Sequence, residues 1–359
     1  MKRLATTAIV IAIAAAIVAA VLLLDRGVRN AASVAAPGAS PGASIAHGAA
    51  MAAAGTAVPV ATADPRRVRE IFKAPWGNKL GELGRDLPGE GSPQGPMSFV
   101  VDASGQAYVL DQVNSRLQIF KPGQPPRAIP LANDGYQDIA LTSRDEVALL
   151  DRLVTKSVDF VDDRGQVRSS VPLAGEGIEE TGSVTAMFAQ DDGIWVEVQH
   201  SRLVRVASAD GKPDPERPTV IGRFSYDGTL LLTAAVDGDN AAVVITKPVT
   251  DPLSPAGTLL ARVPFAQRLS HLLALDSDLT GRIFLGAYLI QPKDDGSGEV
   301  IAFEQVVVLG RDGRELGRIA LPPHTGPEET FRRIAVDSDG TVYQLGLDES
   351  GATLRGFSP

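Results

Sequence analysis

Short apolar runs fill the chain after residue 66, and turns rich in glycine and aspartate separate them. The segment from Gly95 reads GPMSFVVDASGQAYVLDQVNSRLQIFKPG, in which a Ser-Gly turn divides two apolar runs and a third run follows. Stretches with a two-residue period, bounded by turn residues, are typical of antiparallel strands joined as a meander. The pattern therefore predicts an all-β domain built from short strands.

The meander repeats along the chain. Superposing Val109–Asp111 on Leu149–Asp151 gives an offset of 40 residues, and a degenerate unit is expected over residues 224–264, where the spacing leaves room for it. Further units begin at Val184, Leu272 and Arg333. A period of about 40–50 residues with four strands per unit is the signature of a β-propeller. The fold class predicted here is thus an all-β, six-bladed β-propeller.

The last unit ends at Pro359 after about three strands, whereas residues 67–74, RVREIFKA, form a strand-like segment before the first unit. We expect this N-terminal strand to complete the sixth blade and to close the ring. Two alternatives stay open at this point. The long stretch between the third and fifth units could hide a seventh blade, and the strands could form an open β-sandwich.

The first residues have the features of a membrane anchor. Residues 4–24 form a run of 21 residues without a charge, preceded by Lys2 and Arg3. As a helix this run would be about 30 Å long, enough to cross the hydrocarbon core of a bilayer. We interpret residues 1–26 as an uncleaved transmembrane signal anchor, with cleavage near Ser33-Val34-Ala35 as the alternative. The basic residues before the span place the rest of the chain outside the cytoplasm, in the periplasm or the extracellular space.

Residues 27–65 consist mainly of Ala, Gly, Pro, Ser and Val, a composition that predicts a flexible linker. The β-propeller domain is then residues 66–359. Residues 1–65 carry four basic and two acidic side chains, and the net charge of the whole chain is −9, so the domain carries −11. An acidic domain is not expected to bind nucleic acid or an anionic lipid surface by charge. The predicted membrane contact is therefore through residues 4–24 alone.

One repeat resembles a known family. Eleven residues between Gly95 and Phe120 match the pattern of an NHL-type repeat; they are Gly95, Pro96, Asp102, Gly105, Tyr108, Val109, Asp111, Asn114, Arg116, Gln118 and Phe120. The second unit keeps Asp151, and the sixth keeps Asp337 and Gly340. The resemblance implies a six-bladed β-propeller for residues 66–359, in a superfamily that includes binding scaffolds, lactonases and lyases. Fold alone does not select among these functions.

Several of these residues have architectural roles in our interpretation. Asp102, Asp276 and Asp337 each precede a glycine by a few residues, which is typical of an aspartate that accepts hydrogen bonds from the backbone of a tight turn. We expect these three to be turn residues. Asn114 and Arg116 are expected to fasten one blade to the next.

Motifs for established chemistries are missing from the sequence. The chain has no cysteine, which excludes disulfides, thiolate metal sites and thiol nucleophiles. Its four histidines lack the close spacing of a zinc-binding pair, and neither a GxSxG motif nor a phosphate-binding loop occurs. Residues 294–298, DDGSG, lack the alternating ligands of a calcium loop and are expected to be a solvated hairpin tip. No cofactor is predicted.

The residues that come just before each innermost strand should surround the mouth of the central channel, where propellers commonly bind ligands. The candidate ligand-binding residues are Gln137, Asp138, Glu180, His271, Glu329 and Arg332. Others at the same positions are Gln94, Met97, Tyr136, Glu179 and Arg268. We expect a scaffold that binds a protein or glycan partner without catalysis. The alternative is a divalent-metal-dependent lactonase or lyase in which Asp138, Glu180 and Glu329 hold the metal.

Overall fold

The computed structural model describes residues 68–144 and 146–358. The predicted signal anchor and linker, residues 1–65, lie outside the described residues. In the part that is described, no helix is both long enough and apolar enough to span a membrane. The described strands form six antiparallel sheets of four strands each, which are the blades of a six-bladed propeller.

The first three blades follow one another along the chain, each from its innermost strand outward. Blade 1 contains β2 (Ser98–Val101), β3 (Ala107–Asp111), β4 (Arg116–Phe120) and β5 (Arg127–Pro130), after β1 (Val68–Pro75). Blade 2 contains β6 (Asp138–Leu141), β7 (Val147–Asp151), β8 (Ser157–Val161) and β9 (Val167–Pro172). Blade 3 contains β10 (Val184–Gln190), β11 (Gly193–Val198), β12 (Arg202–Ser208) and β13 (Thr219–Ile221). Two short 3₁₀ helices, Gln112–Asn114 and Thr181–Ser183, lie in the connections.

The remaining blades have the same order. Blade 4 contains β14 (Arg223–Phe224), β15 (Leu230–Val236), β16 (Ala241–Pro248) and β17 (Thr258–Pro264). Blade 5 contains β18 (Arg268–Ser277), β19 (Ile283–Pro292), β20 (Val300–Leu309) and β21 (Glu315–Leu321). Blade 6 contains β22 (Ile334–Val336), β23 (Val342–Asp348) and β24 (Gly351–Phe357), and its outer strand is β1.

The ring closes through the N-terminal strand, as the sequence predicted. Strand β1 pairs antiparallel with β24 from Val68 opposite Phe357 to Pro75 opposite Gly351. The degenerate fourth unit also forms a blade. Six four-stranded sheets around one axial cavity confirm the propeller, so the seven-bladed and sandwich alternatives were wrong.

Apolar clusters between neighbouring blades hold the ring together. One cluster joins blades 2 and 3 and includes Leu150, Phe160 and Val196, which are almost fully buried. Another joins blade 6 to blade 1, where the rings of Phe72 and Phe120 stack with centroids 4.0 Å apart. Each sheet thus buries its faces against the next one, which is why no blade has a core of its own.

The residues of the NHL-like pattern fasten the first blade to the segment after β1. Arg116 donates to the backbone carbonyls of Asn78, Lys79 and Glu82, and its Nε donates to Asp111 over 2.7 Å. Asn114 donates to the Gly77 carbonyl. Since this segment follows the outer strand of blade 6, these bonds join the last blade to the first, as predicted.

Prolines mark the outer rim of the disc. The outer strands of four blades end in a proline, and these residues are Pro75, Pro130, Pro172 and Pro264. A proline lacks the N–H that a further strand would need, so sheets tolerate it at an edge. At these positions the rim strands therefore offer no N–H to a further strand.

The two faces of the disc differ in what they carry. Every innermost strand begins at the same face, which we call the mouth face, and runs toward the opposite face. The β1–β2 connection crosses the mouth face, and so do the hairpin loops that follow β7, β11 and β19. Residues just before the innermost strands consequently surround the opening of the channel on this side.

Candidate functional site

A cavity of about 1520 Å³ occupies the centre of the ring. Ligand-binding pockets usually have volumes of about 300–1000 Å³, so this one is large enough for a sizeable ligand or a short peptide. Of the six candidate residues from the sequence, five line the cavity, namely Gln137, Asp138, His271, Glu329 and Arg332. Glu180 does not line it; its backbone carbonyl instead accepts hydrogen bonds from Ser183.

Asp138 is a fully buried carboxylate with a complete set of donors. Its Oδ1 accepts from the Ser98 hydroxyl over 2.6 Å and from its neighbour's amide. Its Oδ2 accepts from the Met187 amide over 2.9 Å and from Nη2 of Arg332 over 2.6 Å. These partners come from blades 1, 2 and 3 and from the approach to blade 6, so Asp138 ties several blades together at the channel wall.

A second ion pair lies beside the first. Arg223 donates from Nε and Nη2 to the two carboxylate oxygens of Glu197, over 2.6 and 2.9 Å. Burial opposes the charged form of Glu197, but hydrogen bonds from His200 and Arg223 outweigh it and lower the pKa to about 2. The ring of Phe188 lies 5.2 Å from the guanidinium carbon of Arg223 and 5.7 Å from that of Arg332. The two arginines and Phe188 form one packed layer in the channel.

Asp276 faces this layer and corrects one prediction. It is not a turn residue: it lies in β18, opposite Phe284, and lines the cavity. The turn belongs to Asp278, which accepts from the amides of Thr280 and Arg282. The other two turn predictions hold, since Asp102 and Asp337 each accept backbone amides across their hairpins.

Asp276 also has an unusual electrostatic environment. Loss of solvent raises the pKa of its carboxyl, against the opposing effects of Arg223 and Arg332. In the part of the chain that the structure describes, it forms neither a salt bridge nor a side-chain hydrogen bond. A ligand that donates to Asp276 would therefore satisfy a carboxyl that the protein leaves without a partner.

His271 is stacked at the mouth of the channel. Its ring lies 4.8 Å from that of Tyr288, at an interplanar angle of 23°. Burial lowers the pKa of His271, and the nearby charges of Arg333 and His200 lower it further. The imidazole is thus neutral at neutral pH and presents a polar edge to a ligand without adding positive charge.

The remaining candidates occupy the mouth with different partners. The side-chain oxygen of Gln137 accepts from the Arg152 amide over 2.8 Å, which holds the hairpin after β7. Glu329 is exposed, and its amide donates to the Pro93 carbonyl. Arg223, Glu197 and Asp276 were not among the residues predicted to line the channel.

The metal hypothesis gains no support from this arrangement. Of its three proposed ligands, Asp138 already accepts four hydrogen bonds and Glu180 does not line the cavity. Within residues 68–144 and 146–358, no three His, Cys, Asp or Glu side chains are grouped so that they could hold a metal ion. The cavity instead presents both acidic and basic side chains that can form hydrogen bonds with a ligand.

The fold and the cavity together define a six-bladed β-propeller with a polar central channel. The sequence matches no protein-family model and no curated protein, so the NHL-like pattern remains a resemblance. Among solved structures, the chain is similar to a DUF4221 family member from Bacteroides vulgatus, with 12% identity, a TM-score of 0.47, and coverage of 81% of this chain and 98% of the other.

Two further similar structures are enzymes. One is a gluconolactonase from Xanthomonas campestris, with 14% identity, a TM-score of 0.45, and coverage of 84% of this chain and 99% of the other. The other is virginiamycin B lyase from Staphylococcus aureus, with 11% identity, a TM-score of 0.39, and coverage of 74% and 95%. Similarities this distant carry no argument about what this chain binds or does.

Proposed function

We propose that this protein is a binding module that takes part of its partner into the mouth of the central channel. The observation that carries the proposal is the axial cavity of about 1520 Å³, with the unpartnered carboxyl of Asp276 beside two arginine–carboxylate pairs. The paired groups rigidify the wall, and the unpartnered ones are available to a ligand.

The proposal includes attachment to a membrane through residues 4–24, with the propeller outside the cytoplasm. It rests on the uncharged run and the basic residues before it. A tethered disc would meet partners near the membrane at a raised effective concentration, which increases apparent affinity without any new contact.

Binding in the channel can be tested by filling it. Thr330 lines the cavity at the mouth and is half-buried, so Thr330→Trp should obstruct the opening. The matched control is Thr250→Trp, at an exposed position outside the cavity. The measurement is saturation-transfer NMR on the full-length protein, with maltose, D-gluconate and the peptide Lys-Val-Lys-Val-Lys-Val as probes at millimolar concentration.

We expect at least one probe to receive saturation from the unmodified protein and from the control, and to lose it with Thr330→Trp. The proposal fails if no probe binds, or if binding survives in the obstructed variant.

A further inference from the structure

Blade 4 has an incomplete innermost strand. Strand β14 contains two residues, and its pairing with β15 ends where Arg223 lies opposite Leu232. Strand β15 continues to Val236 and remains paired with β16 along its whole length. The part of β15 from Thr233 to Val236 therefore pairs with a strand on its outer side and with none on its channel side, while β18 of blade 5 lies close to β15.

The connection between blades explains the short strand. Elsewhere a loop leaves the rim and crosses the mouth face before the next innermost strand begins. Here a single residue, Gly222, separates β13 from β14. The chain thus enters blade 4 some distance from the mouth face. Between this point and the mouth face, β15 itself forms the upper part of the channel wall.

Alternation along β15 identifies the backbone groups that are left open. The carbonyl of Leu230 accepts from the Ser225 amide, and Leu232 pairs with β14, so even-numbered residues direct their backbone groups to the channel side. In an antiparallel sheet these directions alternate with a two-residue period. The N–H and C=O groups of Ala234 and Val236 consequently point to the channel, and no described backbone group pairs with them.

Other blades cover the corresponding edge. In blade 6, β22 is also short, but the Leu345 amide donates to the Arg333 carbonyl, and the Leu347 carbonyl accepts from Thr325 and Gly326. The second strands of blades 2 and 3 are buried along their full length. In β15, by contrast, Thr233 and Ala234 are half-buried and line the cavity, and Val236 is 45% exposed.

We propose that this open edge of β15 binds an extended segment of a protein partner, which adds to blade 4 as the missing upper part of its innermost strand. The inference rests on the proposed function and names the partner of that site. An edge of four residues accommodates about 13 Å of extended chain. Backbone pairing supplies affinity in this mode, and the surrounding cavity supplies selectivity.

Charge favours a basic segment. Residues 66–359 carry a net charge of −11, which attracts cationic partners over a distance. Inside the cavity, neither Asp276 nor Glu329 takes part in a salt bridge with the described residues. The two arginines that act on Asp276, Arg332 and Arg223, are already paired with Asp138 and Glu197. Arg152, which acts on Glu329, forms no salt bridge with the described residues. A segment in which basic and apolar residues alternate fits this combination of an open backbone edge and the unpaired Asp276 carboxyl.

The test uses fluorescence polarisation on the full-length protein with a labelled Lys-Val-Lys-Val-Lys-Val peptide. Ala234→Pro removes an N–H that has no partner in the described structure, and a proline is tolerated at such an edge position. The matched control is Ala128→Pro, at an exposed position two residues before the natural Pro130 on the outer rim of blade 1. We expect Ala234→Pro to weaken binding about tenfold and Ala128→Pro to leave it unchanged.

Two N-methylated peptides keep the test decisive if a variant fails to fold. One carries methyl groups on the lysine amides and the other on the valine amides. A strand that pairs along one edge uses the amides of alternate residues only, either those of the lysines or those of the valines. One methylated peptide should therefore lose binding and the other should keep it. A Glu-Val-Glu-Val-Glu-Val peptide should bind more weakly than the lysine peptide.

Equal binding of both methylated peptides, or full binding by Ala234→Pro, overturns strand addition. If Thr330→Trp still abolishes peptide binding in that case, the channel remains the binding site and the inference about β15 alone fails. If Thr330→Trp has no effect either, the proposed function fails as well.

Discussion

Single charged side chains connect the blades at the channel wall. Asp138 accepts bonds from groups on several blades, and Arg332 donates both to it and to the Met187 carbonyl over 2.6 Å. A buried ion pair of this kind adds little by itself to stability, but removing one partner leaves the other uncompensated. The contribution of the Asp138–Arg332 pair, which we call the clamp, is therefore measured by removing one of its partners.

Asp138→Ala should lower the free energy of unfolding by about 3–5 kcal/mol, because the Arg332 guanidinium would lose its counter-ion and the Met187 amide its acceptor. Urea denaturation of the full-length protein measures the change. As a control, Asp163→Ala at an exposed turn should stay within about 0.5 kcal/mol of the unmodified protein. A loss in Asp138→Ala no larger than in this control would contradict the clamp.

We expect the stability of the protein to depend on pH through Asp337, which lies at the face opposite the mouth face. Burial raises the pKa of Asp337 to about 6, and the adjacent Asp339 adds to the shift. The folded state then binds a proton more tightly than the unfolded state does, so this group makes stability fall as the pH rises from about 4 to about 6. Asp337→Asn keeps the acceptor for the Thr341 amide and should remove that decline.

The measurement for Asp337→Asn is the melting temperature as a function of pH. We expect the variant to gain stability relative to the unmodified protein at pH 7, and the gain to vanish near pH 4. A constant difference between the two proteins across this range would argue against titration of Asp337.

Sequence patterns identified some of these residues and misassigned others. Asp138 and Arg332 were predicted at the channel because they precede innermost strands. Glu197 was overlooked, although a lone charge inside the apolar run IWVEV signals a buried, paired carboxylate. The spacing assigned the turn to Asp276, but β18 extends to Ser277 and the turn aspartate is Asp278, two positions later.

At the scale of elements, strand number was predictable and strand length was not. The runs TLLLTAAV, NAAVVITK and TLLARVP gave β15, β16 and β17 correctly, because each has its own apolar pattern between turns. The two-residue β14 could not be anticipated. Its length depends on where the chain leaves blade 3, which is a property of the tertiary structure.

The closing strand gives a prediction at this scale. Deleting residues 1–65 should leave a folded, soluble propeller, whereas deleting residues 1–75 should not, because β24 would lose its partner and Phe120 its stacked neighbour. Circular dichroism and thermal denaturation distinguish the two deletions. Cooperative melting of the shorter protein, or an insoluble longer one, would contradict the assigned role of β1.

On the scale of the whole molecule, repetition was the informative signal. The repeated units predicted the ring and its blade count, since blades that cannot bury their faces alone must stack. The incomplete last unit and the strand-like residues 67–74 predicted its closure. The central cavity followed from the fold. The identity of the polar side chains that line the cavity could not be predicted, because they come from blades that are distant in the sequence.

The proposed membrane attachment also concerns the whole chain. The full-length protein should remain in the membrane fraction after alkaline carbonate extraction, and a variant lacking residues 1–26 should be released, because the deleted run provides the apolar length needed to span a bilayer. Immunoblotting of both fractions measures this. Release of the full-length protein by carbonate would exclude an integral anchor.

The prolines that end β1, β5, β9 and β17 have a consequence for crowded conditions. Each proline removes one amide from the end of a rim strand, which shortens the edge that a neighbouring copy could pair with and so disfavours edge-to-edge association. The unpaired edge of β15, in contrast, begins at Thr233 and Ala234 inside the central cavity, which an extended chain enters more easily than a folded propeller does. The protein can therefore bind an extended segment of a partner without promoting its own self-association.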